Sequence, residues 1–216
     1  MQQEGAHEPA PPRALRIGDK APVFQARSTQ GAVRLDQYRG RWTLFFSHPA
    51  DFTPVCTSEF VALAKAAPRF AALECELLGL SVDSLYAHLA WIRAIREIFG
   101  VVVPFPVIED PSMAIGRAYG MIDESAQDSS AMRAVYVIDR EGVIRAMSWY
   151  PLTVGRSVEE MLRLVSALQR TASGEVMTPE GWRPGDDLLL PPALTMAEAG
   201  KPGATPDWFY RSCKDK

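Results

Sequence analysis

The segment Ser47-His48-Pro49-Ala50-Asp51-Phe52-Thr53-Pro54-Val55-Cys56-Thr57-Ser58-Glu59 concentrates the groups that can do chemistry. Thr53 has the character of a helix N-cap, and Pro54 that of a first helical residue, whose missing N–H would have no partner there anyway. Cys56 is then the third residue of a helix. Unpaired N–H groups and the positive end of the helix dipole meet at that position, and both favour a thiolate. A thiolate so placed is a nucleophile or a redox centre. Ionisation alone gives little. For any thiol, a fall in pKa from ~8.5 to ~6 raises the thiolate fraction at pH 7 roughly 30-fold, while the lost basicity removes roughly tenfold in nucleophilicity. The net gain is about threefold, so a fast thiol enzyme needs other groups that act on the transition state. Thr53 and a guanidinium from elsewhere in the chain are the candidates.

The elements that position this segment follow from the pattern around it. Thr43-Leu44-Phe45-Phe46-Ser47 is a short apolar run, as expected of a strand buried on both faces. The helix from Thr53-Pro54 is expected to end at Pro68. Leu77 to Val82 reads as a second buried strand. Ser84 then caps a helix with Leu85, Leu89, Ile92, Ile95 and Phe99 on its inward face, closed by Gly100. Val135–Ile138 and Val143–Ala146 flank Asp139-Arg140-Glu141-Gly142, the composition of a hairpin turn. Ser157-Val158-Glu159-Glu160 is a capping box that opens a helix with Val158, Met161, Leu162, Val165 and Leu168 inward. Strand, helix, strand, helix, hairpin and helix imply an α/β protein, a mixed sheet flanked by helices. That order suits a thioredoxin-like fold. Nine of the seventeen prolines fall before residue 13 or after residue 178. We therefore divide the chain into a flexible tail (1–13), a thioredoxin-like domain (14–175) and a small C-terminal extension (176–216) expected to pack in a dimer.

Composition excludes several classes of function. The chain has 216 residues, 47% hydrophobic and 23% charged, with a net charge of −3. It lacks the basic field that nucleic acid or anionic membranes require, and no apolar run reaches the length of a membrane span. The proline-rich start has neither the basic residues nor the apolar stretch of a secretory signal. Three cysteines, an odd number in a chain this long, point to a reducing cytoplasmic compartment rather than a disulfide framework. There is no Cys-x-x-Cys for a dithiol mechanism. No cofactor is expected, nor a metal, because the three cysteines and three histidines never approach ligand spacing. Cys75 alternates with charged residues on its way into a strand and reads as core. His7 and His88 read as non-catalytic. Trp208-Phe209-Tyr210 reads as a packing anchor.

The pattern Pro49-x-x-x-Thr53-x-x-Cys56 resembles the active-site signature of the peroxiredoxins, and the longer stretch from Ser47 to Thr57 resembles their one-cysteine subfamily with an extended C-terminal domain. Further blocks are similar in the same order: Ser81-Val82-Asp83-Ser84 with His88-Leu89-Ala90-Trp91, Pro104-Phe105-Pro106, Arg133 to Asp139, Tyr150 to Arg156, and Thr178-Pro179-x-x-Trp182-x-x-Gly185-Asp186. The resemblance implies a thiol-dependent peroxidase that reduces hydrogen peroxide and organic hydroperoxides through a Cys56 sulfenic acid. It implies that Thr53 hydrogen-bonds the peroxide, Pro49 shields the pocket, and Arg133 holds the thiolate and the peroxide oxygens. Glu59 would anchor Arg133, and His48 and Arg156 would orient substrate or support the site. The expected partners are a hydroperoxide, a thiol reductant such as thioredoxin or glutathione/glutaredoxin, and a second copy in a homodimer or higher homo-oligomer. Cys213 follows Asp207-Trp208-Phe209-Tyr210, a run resembling the one that precedes a resolving cysteine, with Arg211-Ser212 interposed. The phospholipase motif of some members needs a serine where this chain has Arg41, so that activity is not implied. A holdase built from oligomers is the non-enzymatic alternative, and Cys56→Ser separates it from a peroxidase.

Overall fold

A computed structural model describes residues 14–122, 132–201 and 206–215; the predicted tail over 1–13 lies outside the described residues. The fold is built on strand β3 (Trp42–Ser47), whose six residues are all buried. It lies between β4 (Cys75–Ser81), parallel to it, and β6 (Arg133–Ile138), antiparallel to it. With β1 (Gln25–Ser28), β2 (Gly31–Arg34), β5 (Val107–Glu109) and β7 (Ile144–Tyr150) they form a seven-stranded mixed sheet, in the order β2-β1-β5-β4-β3-β6-β7.

Alternation along the central strands separates two cores. Leu44, Phe46, Leu77, Val135 and Val137 face one side. Phe45, Leu78, Leu80, Tyr136 and Ile138 face the other. Both faces are covered, which is why these strands read as continuous apolar runs. The first side carries the three long helices: α1 (Pro54–Ala72), α2 (Leu85–Phe99) and, after the short α3 (Ala114–Ala118), α4 (Val158–Arg170). The second side is closed by α3, the N-terminal hairpin and Tyr119.

Two sequence expectations need correction. Pro68 does not end α1, which runs on to Ala72. That last turn buries Phe70 completely against the α4 side of the core, and this burial outweighs the one backbone bond that proline removes. On α2 the buried residues are His88, Trp91 and Ile95, while Leu89 and Phe99 are exposed. A polar histidine thus holds part of the inward face. The caps are as read: the Ser84 hydroxyl accepts from the Ala87 N–H at 3.3 Å, and Gly100 closes α2 at φ +66°. At α4 only half of the capping box forms, because Glu160 turns to Arg163 instead of to its cap.

The C-terminal extension adds strands β8 (Leu188–Leu189) and β9 (Ser212–Cys213), paired antiparallel, and a one-turn helix α5 (Met196–Ala199) between them. Its small core of Val176, Trp182 and Leu188 packs on Ala167 of α4. Cys213 joins this cluster, partly buried, rather than lying in a frayed end.

Candidate active site

The C-terminal end of β3 delivers the chain into the loop 48–53, and α1 starts where sequence placed it. Thr53 is the N-cap in extended conformation, Pro54 the first helical residue, and Cys56 the third, fully buried. Phe52, just before the cap, takes a left-handed backbone at φ +57° and exposes its ring. The Thr53 hydroxyl does not cap the helix. It donates to the Ala50 carbonyl at 2.9 Å, which leaves the first-turn N–H groups without a side-chain acceptor.

Arg133 opens β6 next to β3, which brings a guanidinium from 77 residues away onto this helix start. Its Nη1 donates to Cys56 Sγ at 3.4 Å and to Glu59 Oε2 at 3.0 Å. Its Nε and Nη2 both donate to the Leu152 carbonyl, at 2.9 and 2.8 Å. Arg133 is 2% exposed, a permanent cation held entirely by protein acceptors.

Glu59, one turn beyond Cys56, is the hinge of the arrangement. Its main partner is Arg156, not Arg133. Arg156 binds it bidentately through Nε and Nη2 at 2.9 and 2.7 Å, and adds its backbone N–H at 2.7 Å. The Nη1 of Arg156 donates to the carbonyls of Ser47 and Ala134, both at 2.9 Å, across the β3–β6 seam. Burial alone would raise the Glu59 carboxyl; the hydrogen bonds and charge of Arg156, helped by Arg133, overcome that and hold it below the ordinary carboxylate range. One buried carboxylate thus orients two buried arginines, and one of them reaches sulfur. The remaining predicted site residues also gather here: Pro49 is buried in the loop, and Arg156 is within the site rather than outside it.

His48 is fully buried, and its Nε2 is 2.8 Å from Asp51 Oδ1. The other Asp51 oxygen is 2.7 Å from Nδ1 of His88, also fully buried. Linear spacing gives no sign of this cluster, which gives His88, expected to be non-catalytic, a buried carboxylate partner. The usable signal was the step His88, Trp91, Ile95, one face of a helix. His48, Asp51 and His88 offer ligand atoms within 4.8 Å of one another, although the two contacts to Asp51 have the lengths of hydrogen bonds. Burial lowers the pKa of His48 against the pull of Asp51, so the imidazole stays neutral.

The other thiols differ in setting. Cys75, at the start of β4, lines a cavity of about 700 Å³ beside the C-terminal half of α1, at the opposite end of that helix from Cys56. Burial pushes its pKa up to about 12, so at neutral pH it is a protonated, unreactive thiol. Cys213 sits in β9, and all three cysteines are free.

Residues 17–147 match the AhpC/TSA family, and residues 167–201 match the C-terminal domain of 1-Cys peroxiredoxin. The chain belongs to the peroxiredoxin family. A peroxiredoxin of Methanosarcina mazei is 42% identical over 215 residues, covering 92% of this chain and 97% of its own. One of Aquifex aeolicus is 43% identical over 216 residues, covering 93% and 96%. Among solved structures, a yeast mitochondrial 1-Cys peroxiredoxin, studied for its thiol resolving mechanism via glutathione/thioredoxin systems, superposes with a TM-score of 0.82. It is 40% identical and covers 93% of this chain and 100% of its own. As a peroxiredoxin with a thioredoxin-like fold, this protein is a thiol-dependent peroxidase. None of its helices among the described residues is long and apolar enough to cross a membrane.

Proposed function

We propose that Cys56 is the thiol that this peroxiredoxin oxidises in each turnover, acting on hydrogen peroxide and organic hydroperoxides. The observation that carries the assignment is the 3.4 Å approach of Arg133 Nη1 to Cys56 Sγ at a helix N-terminus. The Cys56 thiolate attacks the terminal oxygen of ROOH. The S–O bond forms as the O–O bond breaks, and the leaving RO⁻ takes up a proton to give ROH, leaving the sulfenic acid Cys56–SOH. Charge migrates from sulfur to the departing oxygen, so a fixed guanidinium beside the sulfur stabilises the transition state without reorganising. Thr53 supplies a hydroxyl to the peroxide, Pro49 keeps water out, and His48, Glu59 and Arg156 support these groups. The protein needs no cofactor or metal for this step, because the peroxide is itself the oxidant.

A thiol reductant, thioredoxin or glutathione/glutaredoxin, returns the sulfenic acid to thiol. Cys213 is the candidate to resolve Cys56 of a partner subunit; its sulfur packs with Trp182 and Leu188, so β9 must leave β8 before it attacks. A homodimer is supported by two features of the single chain. Strand β7 ends the sheet order among the described residues, and it exposes Trp149. Trp208, Phe209 and Tyr210 form a run of exposed aromatic residues. Free thiols throughout support a cytoplasmic location.

The test is one equivalent of peroxide followed by a sulfenic-acid trap and peptide mapping. Label on Cys56, and no peroxide consumption by Cys56→Ser, is expected; label on Cys75 with Cys56 untouched would refute the assignment. Intact mass after the same treatment without added thiol decides the fate of Cys213. A Cys56–Cys213 disulfide supports resolution by this residue, and a stable Cys56 sulfenic or sulfinic acid with free Cys213 removes it from the cycle.

A further inference from the structure

Asp51 and His88 have no assigned part in the steps above, yet with His48 they form a fully buried, hydrogen-bonded cluster. An ionised carboxylate only accepts hydrogen bonds, so both ring protons that meet Asp51 belong to the histidines. His48 is therefore protonated on Nε2 and His88 on Nδ1. The two remaining ring nitrogens, His48 Nδ1 and His88 Nε2, are buried and have no hydrogen-bond partner. This tautomer choice is self-consistent, because the opposite one would bury two N–H donors with nothing to receive them.

The cluster also joins three parts of the fold. The Asp51 N–H donates to Asp83 Oδ2 at 2.8 Å, and the same oxygen accepts from the Ser81 hydroxyl at 2.9 Å, at the end of β4. His48 donates its backbone N–H to the Leu80 carbonyl at 2.9 Å. The His48 ring lies 4.8 Å from the ring of Phe60 and 5.1 Å from that of Trp91. Phe60 is one turn beyond Cys56 on the same face of α1, and Cys56, Phe60 and Trp91 belong to one buried cluster.

We propose that Asp51 and His88 are positioning residues for the peroxidase reaction: the doubly bonded carboxylate locks the 48–53 loop to β4 and α2 and fixes His48 with a bare Nδ1. The inference rests on the reading of Cys56 as the oxidised thiol. The loop carries Pro49 and the Thr53 cap on either side of Asp51, and a displacement of about 1 Å in such a loop is enough to cost on the order of 10²-fold in rate. His88 reaches the chemistry only through Asp51, which explains why a polar residue occupies the inward face of α2.

The chain has three histidines, so their ring nitrogens can be resolved by ¹⁵N correlation NMR on the full-length protein. The expected spectrum shows His48 protonated on Nε2 and bare on Nδ1 at pH 7. His88→Leu removes the second donor to Asp51 and is expected to slow Cys56 oxidation at least about tenfold. His88→Asn places an amide N–H near the lost Nδ1–H and is expected to recover the rate to within about threefold, with the His48 tautomer retained. A merely structural role would let His88→Leu oxidise at the wild-type rate once folded, and that result would overturn the proposal. Should neither variant fold, the wild-type spectrum decides alone. His48 carrying its proton on Nδ1, in a wild-type protein whose Cys56 reacts with peroxide, overturns this inference only. Failure of wild-type Cys56 to react overturns the reading of the site instead.

Discussion

Replacing Arg133 with lysine keeps the charge and removes the fork, which makes it the sharpest probe of the site. The guanidinium serves three acceptors at once: the Leu152 carbonyl through two nitrogens, Glu59 at 3.0 Å and Cys56 at 3.4 Å through the third. A lysine ammonium is a single point at the end of a flexible stem, and it cannot stand on both the Leu152 side and the Glu59–Cys56 side. If it follows Glu59, Leu152 loses its donors; if it follows Leu152, sulfur loses its cation. Loss of one preorganised charged donor at a developing charge removes roughly 10²–10³ in rate, equivalent to about 2.7–4 kcal/mol. The orphaned carbonyl adds about 1–3 kcal/mol of lost stability, so circular dichroism and thermal melting must accompany the kinetics. The rate is read by stopped-flow tryptophan fluorescence after mixing with peroxide. Trp91 is a suitable reporter, because its indole donates to the hydroxyl of Thr57, next to Cys56, at 3.2 Å. A folded lysine variant within a few-fold of wild type would refute the argument and reduce Arg133 to a simple source of positive potential.

Three further outcomes are expected. Because Glu59 is held below its ordinary range, its contribution to stability is complete above the unfolded carboxyl value of about 4.3 and is lost as pH falls through the lower folded value. Glu59→Gln should lose about 3–5 kcal/mol at pH 7 and show a shallower fall of Tm on acidification; an unchanged acid slope would contradict this. Cys75→Ala should keep peroxide turnover within about twofold, and Cys75 should resist thiol reagents at pH 8 in the folded protein, since burial pushes its pKa up to about 12. Gly142→Ala should lower stability by about 1–2 kcal/mol, read as a lower denaturation midpoint at an unchanged m value. Gly142 sits at φ +70° in the β6–β7 turn, and a Cβ there would meet the Arg39 guanidinium.

Features set by neighbours in sequence were legible. The N-cap and proline that place Cys56 in the first turn of α1, the Ser84 and Gly100 ends of α2, and the Gly142 hairpin all depend on a few adjacent residues. Features settled by packing were not. Pro68 obeys a local rule that the burial of Phe70 overrides, and the inward face of α2 was misjudged because His88 looks polar until Asp51 is brought to it. Sites assembled across long separations were the least legible. Arg156 meets Glu59 across 97 residues, and nothing local distinguishes its guanidinium from a surface one. The approach of Arg133 to Cys56 is expected only through family resemblance, since it depends on the pairing of β3 with β6, two strands far apart in the chain.

The two arginines held by one glutamate also fix a charge balance. With Cys56 as thiolate, two positive and two negative charges share the buried site, and the sum is zero. A sulfenic acid is neutral, so oxidation leaves one cation without a counterion in a region that excludes water. The charge attraction that favours the thiolate therefore has no equivalent in a neutral sulfenic acid. A redox couple whose reduced form is selectively stabilised is a stronger oxidant. The Arg133–Glu59–Arg156 arrangement thus raises the driving force for the second half of the cycle, in which an incoming thiol returns the sulfur to the state that the buried charges require.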